Sequence, residues 1–113
     1  MKEKFQVQLS EEVREFLRLM DGKAKEKILY NIRKAQLVND NELFKKLTDE
    51  IWEFRTLFNR THYRIFAFWD KSGPVATLVL TTHGIIKKTG KTPQADLDKA
   101  DRIRRIYFEQ KTK

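Results

Sequence analysis

The sequence of 113 residues contains no cysteine, which excludes disulfide bonds and thiolate metal sites. Its only histidines are His62 and His83, and no His-Glu-x-x-His motif occurs, so we expect neither a metal site nor a cofactor. No apolar stretch approaches the roughly 18 residues of a membrane span. The N-terminus also lacks the apolar core of a signal peptide. Together these absences predict a cytoplasmic protein.

Glycine and proline are scarce, with four and two copies, and the sequence has no linker rich in them and no internal repeat. We therefore expect one domain that spans residues 1–113. Hydrophobic residues make up 40% of the chain, which is enough for a core and argues against disorder.

Acidic residues are few in the second half of the chain. Residues 1–50 are nearly balanced, whereas residues 51–113 carry 13 lysines and arginines against six acidic residues, which is most of the net charge of +8. An excess of one sign in one half favours an anionic partner, with nucleic acid the first candidate. The alternative is that the charge only keeps the protein soluble.

The first half of the chain predicts a strand followed by two helices. Residues Phe5 to Leu9 alternate as in a strand, and Ser10 is suited to cap the helix that follows. Asp21 and Gly22 end that helix, and a second helix is expected from about Lys23 to Val38. The remaining pattern predicts one further helical turn over Glu42–Leu47.

The second half predicts three strands and a last helix. The strands are expected at Ile51–Phe58, His62–Asp70 and Pro74–His83, with Asn59–Thr61 as the first hairpin loop. Thr92 is suited to cap the last helix, with Pro93 at its first position. The order β-α-α-β-β-β-α predicts an α+β fold in which helices pack on an antiparallel sheet.

The segment HGIIKKTGKTP, from His83 to Pro93, holds three lysines and a histidine and no acid. With the segments IWEFR, HYRIFAF and ADLDKADRIRRIYFEQK, it resembles the RelE/ParE superfamily of bacterial type II toxins, and most closely the HigB-like, phage-derived branch. The similarity covers roughly residues 43–110. Ile85 departs from the phenylalanine of many relatives, which affects packing more than chemistry.

The resemblance implies a RelE-like toxin that binds the ribosome and cuts messenger RNA there, without a metal, by attack of a 2′-hydroxyl on the adjacent phosphate. It also implies a cognate antitoxin, which we expect to be a small helix-turn-helix protein. Some members of the superfamily instead inhibit DNA gyrase, and these typically lack the basic catalytic set. The presence of that set here favours the nuclease.

Several residues could carry this chemistry, and each has a structural alternative. Arg64 points away from the strand face formed by Tyr63, Ile65, Ala67 and Trp69. For Arg55, the alternative is a surface ion pair with Glu53 or Asp70. His83 is an acid or base, or a residue bonded at the end of a strand. The resemblance implies catalytic roles for Arg64, His83, Lys87, Lys88 and Tyr107, and RNA contacts by Arg55, Lys91 and Arg104.

The assignments of Lys87, Lys88, Arg104 and Tyr107 also leave an alternative open. Lys87 and Lys88 point in opposite directions in an extended segment, so we expect only one to reach the phosphate, and such a pair is also typical of a solvated loop. Arg104 falls inside the apolar stripe of the last helix. Either its guanidinium group enters the site, or its methylene groups pack on the core while the guanidinium reaches solvent. For Tyr107, packing in the core competes with a catalytic or base-stacking role.

Overall fold

The chain forms three helices and five strands in the residues that the computed structural model describes, which are 2–74, 78–87 and 91–111. The elements are β1 (Gln6–Gln8), α1 (Glu11–Arg18), α2 (Gly22–Leu37), β2 (Phe44–Lys46), β3 (Trp52–Phe58), β4 (Thr61–Asp70), β5 (Leu78–Lys87) and α3 (Gln94–Lys111). The predicted α+β class is confirmed. Within the described residues, no helix has the length and apolar character needed to cross a membrane.

The five strands form one mixed sheet in the order β1-β5-β4-β3-β2. Strands β2 to β5 pair antiparallel, whereas β1 runs parallel to β5, with Val7 opposite Val79. The prediction of a wholly antiparallel sheet is therefore wrong at this edge. Parallel strands need a long crossover, and the first strand has one because two helices and three strands separate it from β5 in the chain.

The helical turn predicted at Glu42–Leu47 is also wrong, because this segment contains β2. Phe44 pairs in register with Phe54 of β3 and stacks on its ring at a centroid distance of 4.3 Å. The Phe44 ring also packs against Phe5, at 5.0 Å. Burying this one aromatic side chain between β1 and β3 stabilises the extended backbone more than an isolated helical turn would.

Side-chain caps define the starts of the first two helices. Ser10 caps α1 as predicted, since its hydroxyl accepts the N–H of Val13 at 3.1 Å. Asp21 does not end the first helix but caps α2, where its carboxylate accepts the N–H of Ala24 at 3.3 Å. Ser10 also donates to the carbonyl of Thr82 at 3.1 Å, which attaches the start of α1 to β5.

Helices cover both faces of the sheet. On one face, Val13 and Leu17 of α1 and Ile28 and Ile32 of α2 belong to the same buried cluster as Ile65. On the other face, α3 packs through Ala100 and the partly buried Leu97, Tyr107 and Phe108, over Phe66, Phe68 and Leu80. We call these the α1–α2 face and the α3 face. The side of β4 opposite the predicted core face is thus also buried.

The β3–β4 hairpin is tighter than predicted. Phe58 pairs with Thr61, so the turn consists of Asn59 and Arg60 alone, with φ angles of 54° and 61°. Two consecutive positive φ values are typical of a type I′ turn, whose twist matches that of the strands. Asparagine tolerates this conformation, whereas it is uncommon for arginine.

Strand β5 extends four residues beyond the predicted end at His83, to Lys87, and contains a bulge. Ile65 pairs with Gly84 and Ala67 with Thr81, so Thr82 and His83 both stand opposite the single residue Phe66. A bulge of one residue reverses the alternation of side chains beyond it. Ile85 and Lys87 therefore lie on the α3 face.

Helix α3 begins one residue later than predicted. The carbonyl of Pro93 accepts the N–H groups of Asp96 and Leu97, at 3.1 and 3.4 Å, and Gln94 is the first helical residue. The hydroxyl of Thr92 does not cap the helix and instead donates to Oε1 of Glu53, at 3.2 Å. This hydrogen bond connects the segment before α3 to the middle of the sheet.

Gly84 allows α1 to lie close to β5, and we expect Gly84→Ala to destabilise the fold. A methyl group there would lie 2.5 Å from Cδ2 of Phe16, so the ring or the strand must move. We expect the free energy of unfolding to fall by about 1–3 kcal/mol, measured by urea denaturation. In a Phe16→Ala background the cost should largely disappear. Gly22→Ala, where no atom lies within 4 Å, is the matched control and should not destabilise. An equal loss from both alanine variants would contradict this reading of Gly84.

Candidate functional site

Three cationic side chains from adjacent strands lie at one end of the α3 face. Arg55 of β3 and Arg64 of β4 are register partners, and Lys87 of β5 is a diagonal neighbour of Arg64, since it pairs with His62. We call Arg55, Arg64 and Lys87 the basic cluster. The structure thus brings together three of the residues predicted for the site.

A buried carboxylate separates the two arginines. Glu53 is 2% exposed, and its two oxygens lie 3.4 Å from Nε of Arg64 and 3.5 Å from Nε of Arg55. Burial lowers the pKa of Arg64, the charge of Glu53 opposes that shift, and the charge of Arg55 adds to it. The guanidinium nevertheless stays protonated at physiological pH. Because the carboxylate of Glu53 lies near both arginines, their two positive charges can lie side by side in the sheet.

Lys87 is in a different situation. Its ammonium nitrogen is enclosed and has no hydrogen-bond partner among the described residues. Burial lowers the pKa of Lys87 and the charge of Arg64 lowers it further, whereas Glu53 and Asp96 partly oppose the shift. An enclosed ammonium without an acceptor is costly, and such groups are rare in folded proteins. The position is suited to bind an anion.

The side chain of His83 is buried and contacts Asp96, Thr82 and Phe66. It is 1% exposed, and its Nε2 lies 3.2 Å from Oδ1 of Asp96 while its Nδ1 lies 3.0 Å from the hydroxyl of Thr82. The ring stacks on Phe66 at a centroid distance of 4.7 Å. Burial lowers the pKa of His83, an effect that the hydrogen bond with Asp96 opposes. His83 was interpreted either as a catalytic acid or base or as a residue bonded at the end of a strand. These contacts favour the second interpretation, because they join the bulge to the first turn of α3.

The other predicted residues lie away from the basic cluster or outside the described residues. Arg104 forms an ion pair with Glu50, at 2.8 Å, and its guanidinium lies over the ring of Phe108. Tyr107 donates to Asp70, six residues along β4 from Arg64, or about 20 Å at the rise of a strand. Lys91 is exposed, just before α3. Lys88 lies outside the described residues.

A cleft of about 240 Å³ at the edge of β3 reaches the two arginines of the basic cluster, and Lys87 is not part of its lining. The lining residues are Asn31, Glu42, Leu43, Arg55, Leu57, His62 and Arg64. The side chain of Arg55 is 23% exposed and that of Arg64 only 2%, so a ligand that enters here meets Arg55 first. Within the described residues, no three histidine or acidic side chains come close enough together to hold a metal ion.

The sequence suggested Glu53 only as an ion-pair partner of Arg55, a contact that the structure contains, and His62 only as a metal ligand. The signal for Glu53 was available, because residues two apart on a strand share a face and Glu53 stands two before Arg55. The signal for His62 was its position two before Arg64. Both follow from the alternation on β3 and β4 once the strands are placed in register.

The model of a protein family described as "Phage derived protein Gp49-like (DUF891)" matches residues 15–105 of the chain. This range includes the basic cluster, Glu53 and His83, and ends before Tyr107. A search of curated proteins finds no relative that matches.

The environment of Lys87 predicts how its amine titrates. We expect the pKa of Lys87, measured by NMR on the side-chain Cε, to lie below that of an ordinary lysine. Arg64→Gln should raise it, because a neighbouring charge is removed. Arg60→Gln, which removes an exposed charge at the hairpin tip, should leave it unchanged. An ordinary pKa for Lys87 that neither variant moves would contradict the enclosed geometry.

The network around Asp70 predicts a pH-dependent contribution to stability. Burial alone would raise the pKa of Asp70, but hydrogen bonds from Lys111, Ser72 and Tyr107 lower it well below that of an unfolded aspartate. A carboxyl group with a depressed pKa stabilises the fold fully above about pH 4, and the contribution is lost as the pH falls further.

We therefore expect Asp70→Asn to lower the free energy of unfolding at pH 7 by about 2 kcal/mol in urea denaturation. The difference from the parent should shrink steadily below about pH 4. Asp101→Asn is the control, because the ion pair of Asp101 with Arg105 lies on the solvent-exposed side of α3. A deficit for Asp70→Asn that stays constant down to pH 2 would show that the carboxylate charge is not what stabilises this end of α3.

Proposed function

The chain belongs to the Gp49-like family of phage-derived proteins, a family associated with RelE and toxin-like proteins, and on that basis we propose that it is a toxin that cleaves messenger RNA on the ribosome. The observation that carries the proposal is the enclosed ammonium of Lys87 beside two arginines that share one carboxylate. Glu53 is the carboxylate that lies between the two arginines, whereas Asp96 is hydrogen-bonded to His83 and Glu42 belongs to the lining of the cleft. A phosphate diester is an anion of the right charge and size for the basic cluster.

The proposed reaction is attack of an RNA 2′-hydroxyl on the adjacent phosphorus. The bond from the 2′-oxygen to phosphorus forms as the bond from phosphorus to the 5′-oxygen breaks, which leaves a 2′,3′-cyclic phosphate and a 5′-hydroxyl. The phosphorus passes through a pentacovalent state with additional negative charge. Preorganised cations in an enclosed site stabilise such charge far better than water does.

The residues of the cleft, together with Lys87 and Glu53, divide these tasks. Arg55, the more exposed arginine, binds the phosphate at the mouth, and Arg64 adds its charge from behind. His62 lines the same cleft, and its imidazole accepts the proton of the 2′-hydroxyl. Lys87, whose pKa is lowered, donates a proton to the leaving 5′-oxygen. Glu53 acts through the arginines and is a positioning residue.

The proposal extends to partners and location. Messenger RNA and the ribosome are the targets, which places the action in the cytoplasm, and a cognate antitoxin keeps the toxin inactive. Exposed Lys91, which precedes α3, is suited to contact the RNA backbone away from the reacting phosphate. Removing one such contact should flatten the salt dependence of ribosome binding by about one phosphate equivalent.

Substituting Lys87 tests the proposal, because activity and stability should change in opposite directions. Lys87→Met removes an enclosed charge without a partner, so we expect the free energy of unfolding to rise by about 1 kcal/mol. The same substitution should lower single-turnover cleavage on saturated, messenger-loaded ribosomes about 10²–10³-fold. Arg64→Lys, which keeps the charge but loses the planar fork, should also slow cleavage. Arg105→Met, on the exposed side of α3, is the control and should not alter cleavage.

Two results would overturn the proposal. If Lys87→Met and Arg64→Lys cleave at the parental rate once bound, the basic cluster is a docking surface and not the site of reaction. If expression of the chain arrests growth while transcript ends stay unchanged and DNA supercoiling collapses, the target is gyrase.

A further inference from the structure

The cleft at the edge of β3 is lined by two chemically different sets of polar side chains. Arg55, Arg64 and His62 carry N–H groups, which suit a phosphate and a sugar hydroxyl. Glu42 and Asn31 belong to the same lining and supply oxygen acceptors. The amide nitrogen of Asn31 already donates to the hydroxyl of Thr56, at 3.1 Å, so its oxygen is the group left for a ligand. The proposed reaction uses only the first set.

The acceptor Glu42 lies close to the exposed side chain of Leu57. The N–H of Arg55 donates to the carbonyl of Leu43 at 2.8 Å, which brings the start of β2 against β3. Glu42 immediately precedes Leu43, Leu57 stands two residues beyond Arg55, and both line the cleft. Leu57 is 59% exposed and is the register partner of His62. A carboxylate, an apolar side chain and an imidazole therefore face one cleft.

The backbone of β3 adds a donor at the same place. Along a strand, the N–H groups of residues two apart point to the same edge. Because the N–H of Arg55 points toward β2, the N–H of Leu57 points the same way, beyond Phe54, where the register pairing of β2 with β3 ends. The cleft thus combines the N–H of Leu57 with the carboxylate of Glu42.

The carboxylate of Glu42 limits what the cleft can bind. The side chain is exposed and forms no salt bridge with another residue in the described part of the chain. A negative charge near a phosphate site weakens phosphate binding unless the carboxylate bonds to another part of the ligand. That other part has to carry N–H donors.

Among the four RNA bases, guanine fits this arrangement. Bases of single-stranded RNA are recognised on their Watson–Crick edges. Guanine presents two adjacent donors there, N1–H and N2–H, next to the carbonyl oxygen O6, so one carboxylate can accept both while a backbone N–H donates to O6. Adenine and cytosine present one amino group beside an acceptor nitrogen, and uracil presents one N–H between two carbonyls. Each of these three would place an acceptor against a carboxylate oxygen.

We propose that the cleft recognises guanine, with Glu42 as the specificity-determining residue. The proposal rests on the proposed function, since it names the base of the nucleotide that supplies the attacking 2′-hydroxyl. Glu42 accepts N1–H and N2–H, the N–H of Leu57 donates to O6, and the Leu57 side chain packs against the nucleoside. His62 pairs with Leu57, so the nucleoside bound beside Leu57 is the one that His62 deprotonates. Cleavage then follows guanosine.

Binding of nucleoside 3′-monophosphates to the full chain tests this proposal without any need for cleavage. We expect guanosine 3′-monophosphate to bind about tenfold or more tightly than the adenosine, cytidine and uridine compounds, as measured by NMR shifts of the Leu57 methyl groups and the His62 ring. Inosine 3′-monophosphate, which lacks the N2 amino group, should bind more weakly than the guanosine compound.

Glu42→Gln should change the preference rather than abolish binding. An amide offers one acceptor and one donor, which match the amino group and the ring nitrogen of adenine, so adenosine 3′-monophosphate should replace the guanosine compound as the tightest. Transcript ends on messenger-loaded ribosomes should move in the same way, from guanosine to adenosine. Glu26→Gln is the matched control, because it makes the same change at an exposed position of α2 outside the cleft lining. It should keep the parental order.

The guanine proposal and the nuclease proposal fail in different ways. If all four compounds bind alike, or if Glu42→Gln leaves their order unchanged, the guanine proposal is wrong even in a chain that cleaves RNA. If nucleotides bind but shift the signals of neither Leu57 nor His62, the base is bound elsewhere and the guanine proposal is again wrong. A guanosine preference that Glu42→Gln reverses, in a chain that cuts no RNA, supports the guanine site and overturns the nuclease proposal alone.

Discussion

The carboxylate of Glu53 lies between the guanidinium groups of Arg55 and Arg64, and the site depends on this shared contact. Two cations next to each other in an interior would repel one another and lose their hydration. One carboxylate offsets both costs without neutralising the pair, so a positive excess remains. The hydroxyl of Thr92 binds the same carboxylate, which fixes the start of α3 relative to the charges. Electrostatics and the position of the last helix thus depend on one buried side chain.

The bulge in β5 decides which residues join that pair. Without the extra residue at Thr82 and His83, the alternation would turn Lys87 toward the α1–α2 face and Ile86 toward the arginines. The bulge also places the His83 ring under the first turn of α3, where Asp96 binds it. One irregular pair therefore sets both the composition of the basic cluster and the attachment of the helix above it.

The regular elements and the basic character of the site could be predicted from local patterns in the sequence. The alternation of side chains along the sequence predicted the ends of β3 and β4 to within a residue or two. It also predicted that Arg64 and Ile65 lie on opposite faces of β4. The bulge could not be predicted, because the sequence of β5 does not show whether one residue or two stand opposite Phe66. That number depends on how β5 pairs with β4. Strand β2 was missed for a similar reason, since Phe44 is extended only because Phe5 and Phe54 enclose it. The roles of Tyr107 and Arg104 depended on long-range partners, Asp70 and Glu50, that no local spacing reveals.

The parallel pairing of β1 with β5 has a consequence for how the chain acquires its structure during synthesis. Val7 pairs with Val79, so the first strand has no partner until the chain has been made at least as far as β5. Contacts of such long range form late and slow the folding of a domain. Lys87 and α3 follow later still in the chain. A nascent chain that does not yet include β5 therefore lacks both the partner of β1 and an assembled basic cluster.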